Sequence, residues 1–273
     1  MVDKEILKKL RKIEIKSNRI AEEIFTGEYH SVFRGNGMEF EEIREYSLGD
    51  DIRNIDWNVT ARQNKAYVKK FKEERELNFF LLIDMSCSTT YGDKKNMIAE
   101  IGATLAFSAL KNNDKIGGML FTDEVEKIVP AKKGKKHVLS IIESILEYSP
   151  KNRKTDIKKA LEYFFRFEKK KSVVFIISDF LDEGYEDELK KLKMKHDIIL
   201  IRIIDRSESL IPKGAIFSFR DLETGEEVII DNSKRSLELS SQLKIFSKNM
   251  INVYTDMDFV KPLMLFFKKR MRR

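Results

Sequence analysis

From residue 77 onward, short runs of bulky apolar residues alternate with longer stretches in which apolar residues return every three or four positions. LNFFLLID (77–84), KIGGMLFT (115–122), SVVFIISDF (172–180) and DIILIRIID (197–205) are nearly continuous apolar runs of strand length. KKNMIAEIGATLAFSALKN (94–112), GKKHVLSIIESILEYS (134–149), DIKKALEYFFRFEKK (156–170) and YEDELKKLKMK (185–195) carry the helical period instead. Strands that are apolar on both faces and separated by helices predict a mostly parallel sheet covered on both sides, an α/β fold. VEKIVP (125–130) reads as a further strand, joined to its predecessor at Thr122-Asp123-Glu124. Thr224-Gly225, between two alternating segments, predicts a hairpin. The pattern continues with an amphipathic helix over 236–250, a short strand INVYT and a last helix DFVKPLMLFFKKR. In that last helix Asp256 or Asp258 would cap the start and Pro262 falls in the first turn.

The N-terminal quarter behaves differently. Ile6, Leu10, Ile13, Ile20 and Ile24 recur at helical spacing among lysines and glutamates, which predicts a surface or arm helix from Glu5 to Phe25. Residues 26–64 have several glycines and many Asp and Arg residues but little periodicity, and are expected to be loop-rich with short helices. The expected division is a helix and loop-rich arm over 1–75 and an α/β domain over 76–273.

Composition narrows the class. With 42% hydrophobic and 10% aromatic residues in 273, the chain can bury a sizeable core despite 36% charged residues. No segment approaches the roughly 18 apolar residues of a membrane span, and the start MVDKEILKKLRKIEIK has no apolar signal core, so a cytoplasmic location is expected. A single cysteine, Cys87, excludes an internal disulfide. The net charge of +7 is concentrated at the end, where Lys268, Lys269, Arg270, Arg272 and Arg273 stand within the last six residues. Such a tail suits a helix C-terminal dipole, and weak contact of 268–273 with anionic membrane remains open. Nucleic-acid binding ranks last, because the remaining lysines are interleaved with glutamates and no binding motif accompanies them.

Candidate chemistry lies just beyond the strands, where open α/β sheets bind ligands. Asp84, Ser86 and Ser88 follow the first apolar run at a spacing of two, and Asp179 follows FIIS. Between them Thr155 stands where a loop passes into a helix. Two carboxylates and three hydroxyls form a hard oxygen set suited to Mg2+, or to Mn2+ or Ca2+, and poorly suited to structural zinc.

This order of residues resembles the metal-ion-dependent adhesion site of von Willebrand factor A domains, written Asp-x-Ser-x-Ser, then Thr, then Asp. The resemblance implies a von Willebrand factor A-like, Rossmann-like sheet. It also implies that Ser86, Ser88 and Thr155 ligate the metal directly, with Asp84 and Asp179 acting mainly through water. A carboxylate of a partner protein would complete the coordination. One departure is the threonine loop, which reads Asn152-Arg153-Lys154 where that family carries glycines. Asp156 either joins the ligands or caps the following helix.

A second set is more specific. Gly37-Met38-Glu39-Phe40, Arg44-Glu45-Tyr46, Gly49-Asp50-Asp51-Ile52-Arg53-Asn54-Ile55-Asp56-Trp57, Ala61-Arg62 and Val68-Lys69-Lys70-Phe71 resemble the bacterial family named domain of unknown function fifty-eight. In that family this segment precedes a von Willebrand factor A-like domain. Members are often encoded beside MoxR-type AAA+ ATPases, so the resemblance implies an adaptor or co-chaperone for such an ATPase. Asp50, Asp51, Arg53, Asp56 and Arg62 beside Trp57 are expected to form a buried ion-pair network, or else a peptide or nucleotide surface. The leading function is therefore a non-enzymatic, metal-dependent protein-binding module. The alternative is a phosphatase-like metal-dependent hydrolase with Asp84 as nucleophile, although Ser86 stands where an Asp-x-Asp motif needs its acid.

Overall fold

The computed structural model describes residues 4–25, 39–63, 65–72, 77–90, 93–148, 154–206, 216–220, 227–231 and 243–271. Helix α1 (Lys4–Phe25) comes first, followed by β1 (Glu39–Glu45), α2 (Trp57–Gln63) and β2 (Tyr67–Lys72). The central run is β3 (Asn78–Asp84), the short α3 (Cys87–Thr90), α4 (Lys94–Lys111), β4 (Lys115–Phe121), β5 (Val125–Lys132) and α5 (Lys135–Glu147). It continues with α6 (Ile157–Phe167), β6 (Val173–Ser178), α7 (Glu186–Lys195) and β7 (Asp197–Ile204). The chain closes with β8 (Ile216–Arg220), β9 (Glu227–Asp231), a 3-10 segment Leu243–Asn249, β10 (Met250–Tyr254) and α8 (Val260–Met271).

Six strands form one sheet in the order β10-β7-β6-β3-β4-β5, parallel throughout except for the antiparallel edge strand β5. The predicted α/β class is thus observed. The two-residue pleat sorts the central strands' side chains to opposite faces. Phe79, Leu81, Ile83, Phe175, Ile177, Ile199 and Ile201 pack with α1, α4, α5 and α8 on one face. Phe80, Leu82, Val174, Ile176, Ile198 and Leu200 pack with α6, α7 and the 3-10 segment on the other. Two cores explain why these strands are apolar without alternation. Gly117 belongs to the close packing of the second face: a Cβ there would sit 2.4 Å from the Phe80 ring and 2.9 Å from the Val129 carbonyl oxygen.

From β3 the chain moves one way to β4 and β5, then returns to place β6 on the other side of β3. The carboxyl ends of β3 and β6 therefore flank the point where strand order reverses, the crevice in which open α/β sheets bind ligands.

Contacts divide the chain into two units, Met1–Phe33 with Leu77–Arg273, and Arg34–Glu76. Helix α1 lies against α4, α5 and α8, with ion pairs Lys16–Glu100 and Glu22–Lys111 at 2.5 Å and Glu14–Lys135 at 2.6 Å. In the smaller unit, β1 and β2 pair antiparallel and α2 sits between them in sequence. That strand pair was not expected from sequence. EFEEIRE and YVKKFK are rich in charge, and their complementary Glu and Lys residues become meaningful only once the strands are opposed, as in the register that sets Glu42 opposite Lys70.

Towards the C-terminus, β8 and β9 pair as the predicted hairpin, while Thr224 and Gly225 lie outside the described residues. Of the helix expected over 236–250, residues 243–249 form a 3-10 segment and 236–242 lie outside the described residues. Asp258 accepts the Val260 N–H at 3.0 Å and so supplies the predicted cap of α8. No described helix is long and apolar enough to cross a membrane.

Candidate metal centre

Strand β3 keeps its sheet pairing until Met85, whose N–H donates to the Phe121 carbonyl at 2.8 Å. The chain then folds back on its own polar side chains. Asp84 Oδ1 accepts the Ser86 N–H at 2.9 Å, and Thr89 Oγ1 reaches back to the carbonyls of Asp84 (2.8 Å) and Ser86 (2.9 Å). These are the local side-chain-to-backbone bonds by which Asp, Ser and Thr compete with regular structure. They leave the Ser86 and Ser88 hydroxyls 3.3 Å apart. Cys87 between them is half-buried and forms no disulfide.

Strand β6 supplies the opposing wall. Ser178 Oγ donates to Asp84 Oδ2 at 2.7 Å and accepts the Phe180 N–H at 3.0 Å. Phe180 has φ of 55°, uncommon for a non-glycine residue, so the chain turns sharply directly after Asp179. That turn is supported by the buried Tyr185, whose hydroxyl donates to the Phe180 carbonyl at 3.3 Å. Asp179 Oδ1 accepts the Leu181 N–H at 3.2 Å, and Arg202 Nε donates to the Asp179 carbonyl at 3.2 Å. Asp179 Oδ2 is buried and accepts no hydrogen bond; Lys94 Nζ stands 3.7 Å from it.

Asp84 is fully buried, and burial foremost, then the nearby Asp179 charge, raises its pKa to about 7. The bonds from Ser178 and Ser86 favour the carboxylate, but they do not outweigh the loss of water.

Thr155 reaches the same edge through its neighbours. The Asp156 N–H donates to the Thr122 carbonyl beyond β4 at 3.0 Å, and the Ile157 N–H donates to Asp182 Oδ2 beyond β6 at 2.8 Å. Asp156 itself caps α6, accepting the Lys159 N–H at 2.9 Å and pairing with its ammonium at 3.0 Å. Of the two roles left open for Asp156, the structure displays the cap.

Asp84, Ser86, Ser88 and Asp179 therefore gather at the switch point, with the Thr155 loop on the same side of the sheet. Among the described residues no three His, Cys, Asp or Glu side chains group as metal ligands, so a cation here would rely on hydroxyls beside the two carboxylates. The residues fit that demand. The buried Asp179 Oδ2 has an unused lone pair, and hydroxyl and carboxylate oxygens are what Mg2+ and Ca2+ take.

Sequence reasoning missed Ser178 and Lys94. Ser178 precedes Asp179 as the last strand residue, and nothing local marks it as the partner of Asp84. Lys94 did carry a signal, because it shares a helical stripe with Ile98, Ile101 and Leu105, all buried.

The motif segment does not form the buried network expected of it. Arg44 clasps Asp50 through two bonds of 2.9 and 2.6 Å, Arg53 pairs with Asp51 at 2.8 Å, and Asp56 caps α2 while standing 3.3 Å from Lys69. The Arg44–Asp50 and Arg53–Asp51 pairs are short-range and partly open to water, of these paired residues Asp56 alone is buried, at 8% exposure, and Trp57 is 69% exposed. In so small a unit there is too little apolar surface to bury them.

Among known sequences, the family described as "Protein of unknown function DUF58" matches residues 42–242. The uncharacterized protein Rv1480 of Mycobacterium tuberculosis is 24% identical over 289 residues, which cover 99% of this chain and 91% of that protein. Among solved structures, the conserved hypothetical protein BatB from Bacteroides thetaiotaomicron is similar with a TM-score of 0.49 and 14% identity, over 72% of this chain and all of that one. The VWA domain of SpRpn10 is similar with a TM-score of 0.42 and 12% identity, over 68% of this chain and 93% of that one. Both scores lie below 0.5, and the site is read from this chain's own residues.

Proposed function

The chain belongs to the DUF58 family, and on that footing we propose that its α/β unit is a non-enzymatic protein-binding module whose docking point is a divalent cation held at the switch point. Ser86, Ser88 and Thr155 are its hydroxyl ligands, and Asp84 and Asp179 its carboxylates, acting directly or through water. Bound Mg2+ supplies an electrophilic position that an acidic side chain of a partner protein can occupy. A MoxR-type AAA+ ATPase is the partner class to test first. The single observation that carries the reading is the Asp179 carboxylate, buried beside Asp84 with one oxygen that accepts no hydrogen bond. Buried polar atoms are satisfied in the great majority of cases, and an oxygen of a buried carboxylate that accepts no hydrogen bond is the kind of ligand a hard cation takes.

The same geometry disfavours Asp84 as a hydrolytic nucleophile. Both of its oxygens accept hydrogen bonds, from Ser86 and Ser178, and the side chain is shut off from solvent. A nucleophile must be reachable by its substrate.

Calorimetric titration with Mg2+ and Mn2+ tests the ligand set. Wild type is expected to bind and Ser86→Ala to bind at least tenfold more weakly, and undiminished binding by the variant would overturn the assignment. Capture of a MoxR-type ATPase on immobilised protein, with Mg2+ and with chelator, tests the docking role; equal capture in both would count against it.

A further inference from the structure

Lys94 occupies the first turn of α4, where the aligned backbone N–H groups make a positive charge unfavourable. It is also 2% exposed, although a buried ammonium is costly unless compensated. Neither fact follows from helix formation, since the turn next to it has exposed positions at Asp93 and Asn96. Compensation comes from across the sheet edge. The ammonium stands 3.7 Å from Asp179 Oδ2, the oxygen that accepts no hydrogen bond, and Asp179 is in turn the charge that acts on Asp84.

We propose that the Lys94 ammonium is the resident counter-cation of the Asp179 carboxylate, and that it competes with a divalent cation for it. This rests on the divalent-cation reading of the site. The separation from Asp179 is too long for a hydrogen bond, so the ammonium neutralises the carboxylate without being locked to it. A flexible four-carbon stem lets such a head withdraw, whereas a planar guanidinium would hold the carboxylate in a fork. Lys94 thus sets the cation concentration at which the docking point forms. It also keeps the buried Asp179 carboxylate compatible with folding when no metal is bound.

The test is calorimetric titration of the full chain with Mn2+, comparing wild type, Lys94→Met and Lys94→Arg, with circular dichroism to establish folding. A unit positive charge a few ångströms from an incoming dication, in the effective dielectric of a protein, opposes binding by more than tenfold. Lys94→Met is expected to bind at least tenfold more tightly than wild type, and Lys94→Arg to show no gain. The melting temperature of Lys94→Met without metal should fall below that of wild type and rise more steeply with added Mn2+. If Lys94→Met does not fold without metal, Lys94→Gln, which keeps much of the stem, is titrated in its place. Wild-type binding with no gain in the neutral variant would overturn the role of Lys94 and leave the cation site standing. An equal gain in Lys94→Arg would also overturn it, because packing rather than charge would then be responsible. Absence of binding in every protein would overturn both the cation site and the competition.

Discussion

Arg44 and Asp50 clasp each other at 2.6 Å with both side chains in partial contact with water, while Lys94 and Asp179 stand 3.7 Å apart with almost none. By distance alone the first pair is the stronger. The cost of removing one partner reverses that order, because exposed pairs are screened by water, whereas a buried charge left alone has no solvent to turn to. The smaller unit uses ion pairs as local clasps, with Arg44–Asp50 and Arg53–Asp51 only six and two residues apart in sequence. The α/β unit uses very few charges at its switch point, and each is placed by a different element. The motif with the most charge is therefore not the site where charge has the greatest leverage.

The largest way to break this comparison is Asp179→Ala. It removes one partner of the buried pair, and about 3 kcal/mol of stability or more should be lost in urea unfolding without metal. A loss no larger than that of an exposed pair would place Lys94 and Asp179 in the same class as Arg44 and Asp50.

A second prediction uses pH. Asp84 has a folded pKa raised to about 7, above the ordinary 3.8, so its contribution is present below about pH 4 and is lost as pH rises towards 7. His196, buried against Phe164 with both ring nitrogens unbonded, behaves oppositely. Burial foremost lowers its pKa from 6.5 to about 4, so its contribution is present above pH 6.5 and is lost as pH falls through that window. The two slopes oppose each other between pH 4 and 6.5. Asp84→Asn should uncover a loss of stability on acidification, and His196→Gln a loss as pH rises, each at up to about 1.4 kcal/mol per pH unit. Unchanged urea midpoints across pH in both variants would refute the buried origin of these shifts.

The smallest expected effects belong to the motif segment. Arg53→Ala, at an exposed pair, should leave the urea midpoint unresolved from wild type. Asp56→Ala should lower it slightly, because Asp56 accepts the Asn58 and Val59 N–H groups at the start of α2. A larger loss at Arg53 than at Asp56 would assign that surface a role beyond its local clasp.

Much of this was legible before folding. Apolar runs without alternation marked β3, β6 and β7 as strands buried on both faces, and the break at Asp84 marked where β3 leaves the sheet. The order Asp84, Ser86, Ser88, Thr155, Asp179 pointed to a hard oxygen site because each residue follows a strand or precedes a helix. The pairing of β1 with β2 was not legible, since charged strands have no apolar period to betray them.

Periodicity and spacing thus determined the α/β class, the two-faced core and the residues that crowd the carboxyl edge, all of which depend on neighbours a few positions apart. Tertiary structure alone decided that Ser178, 94 residues from Asp84, would hold its carboxylate, and that a lysine at the start of α4 would face Asp179. The reason is physical: β6 returns to the side of β3 away from β4, and only that strand order brings the four side chains into one dry volume where their charges must answer one another.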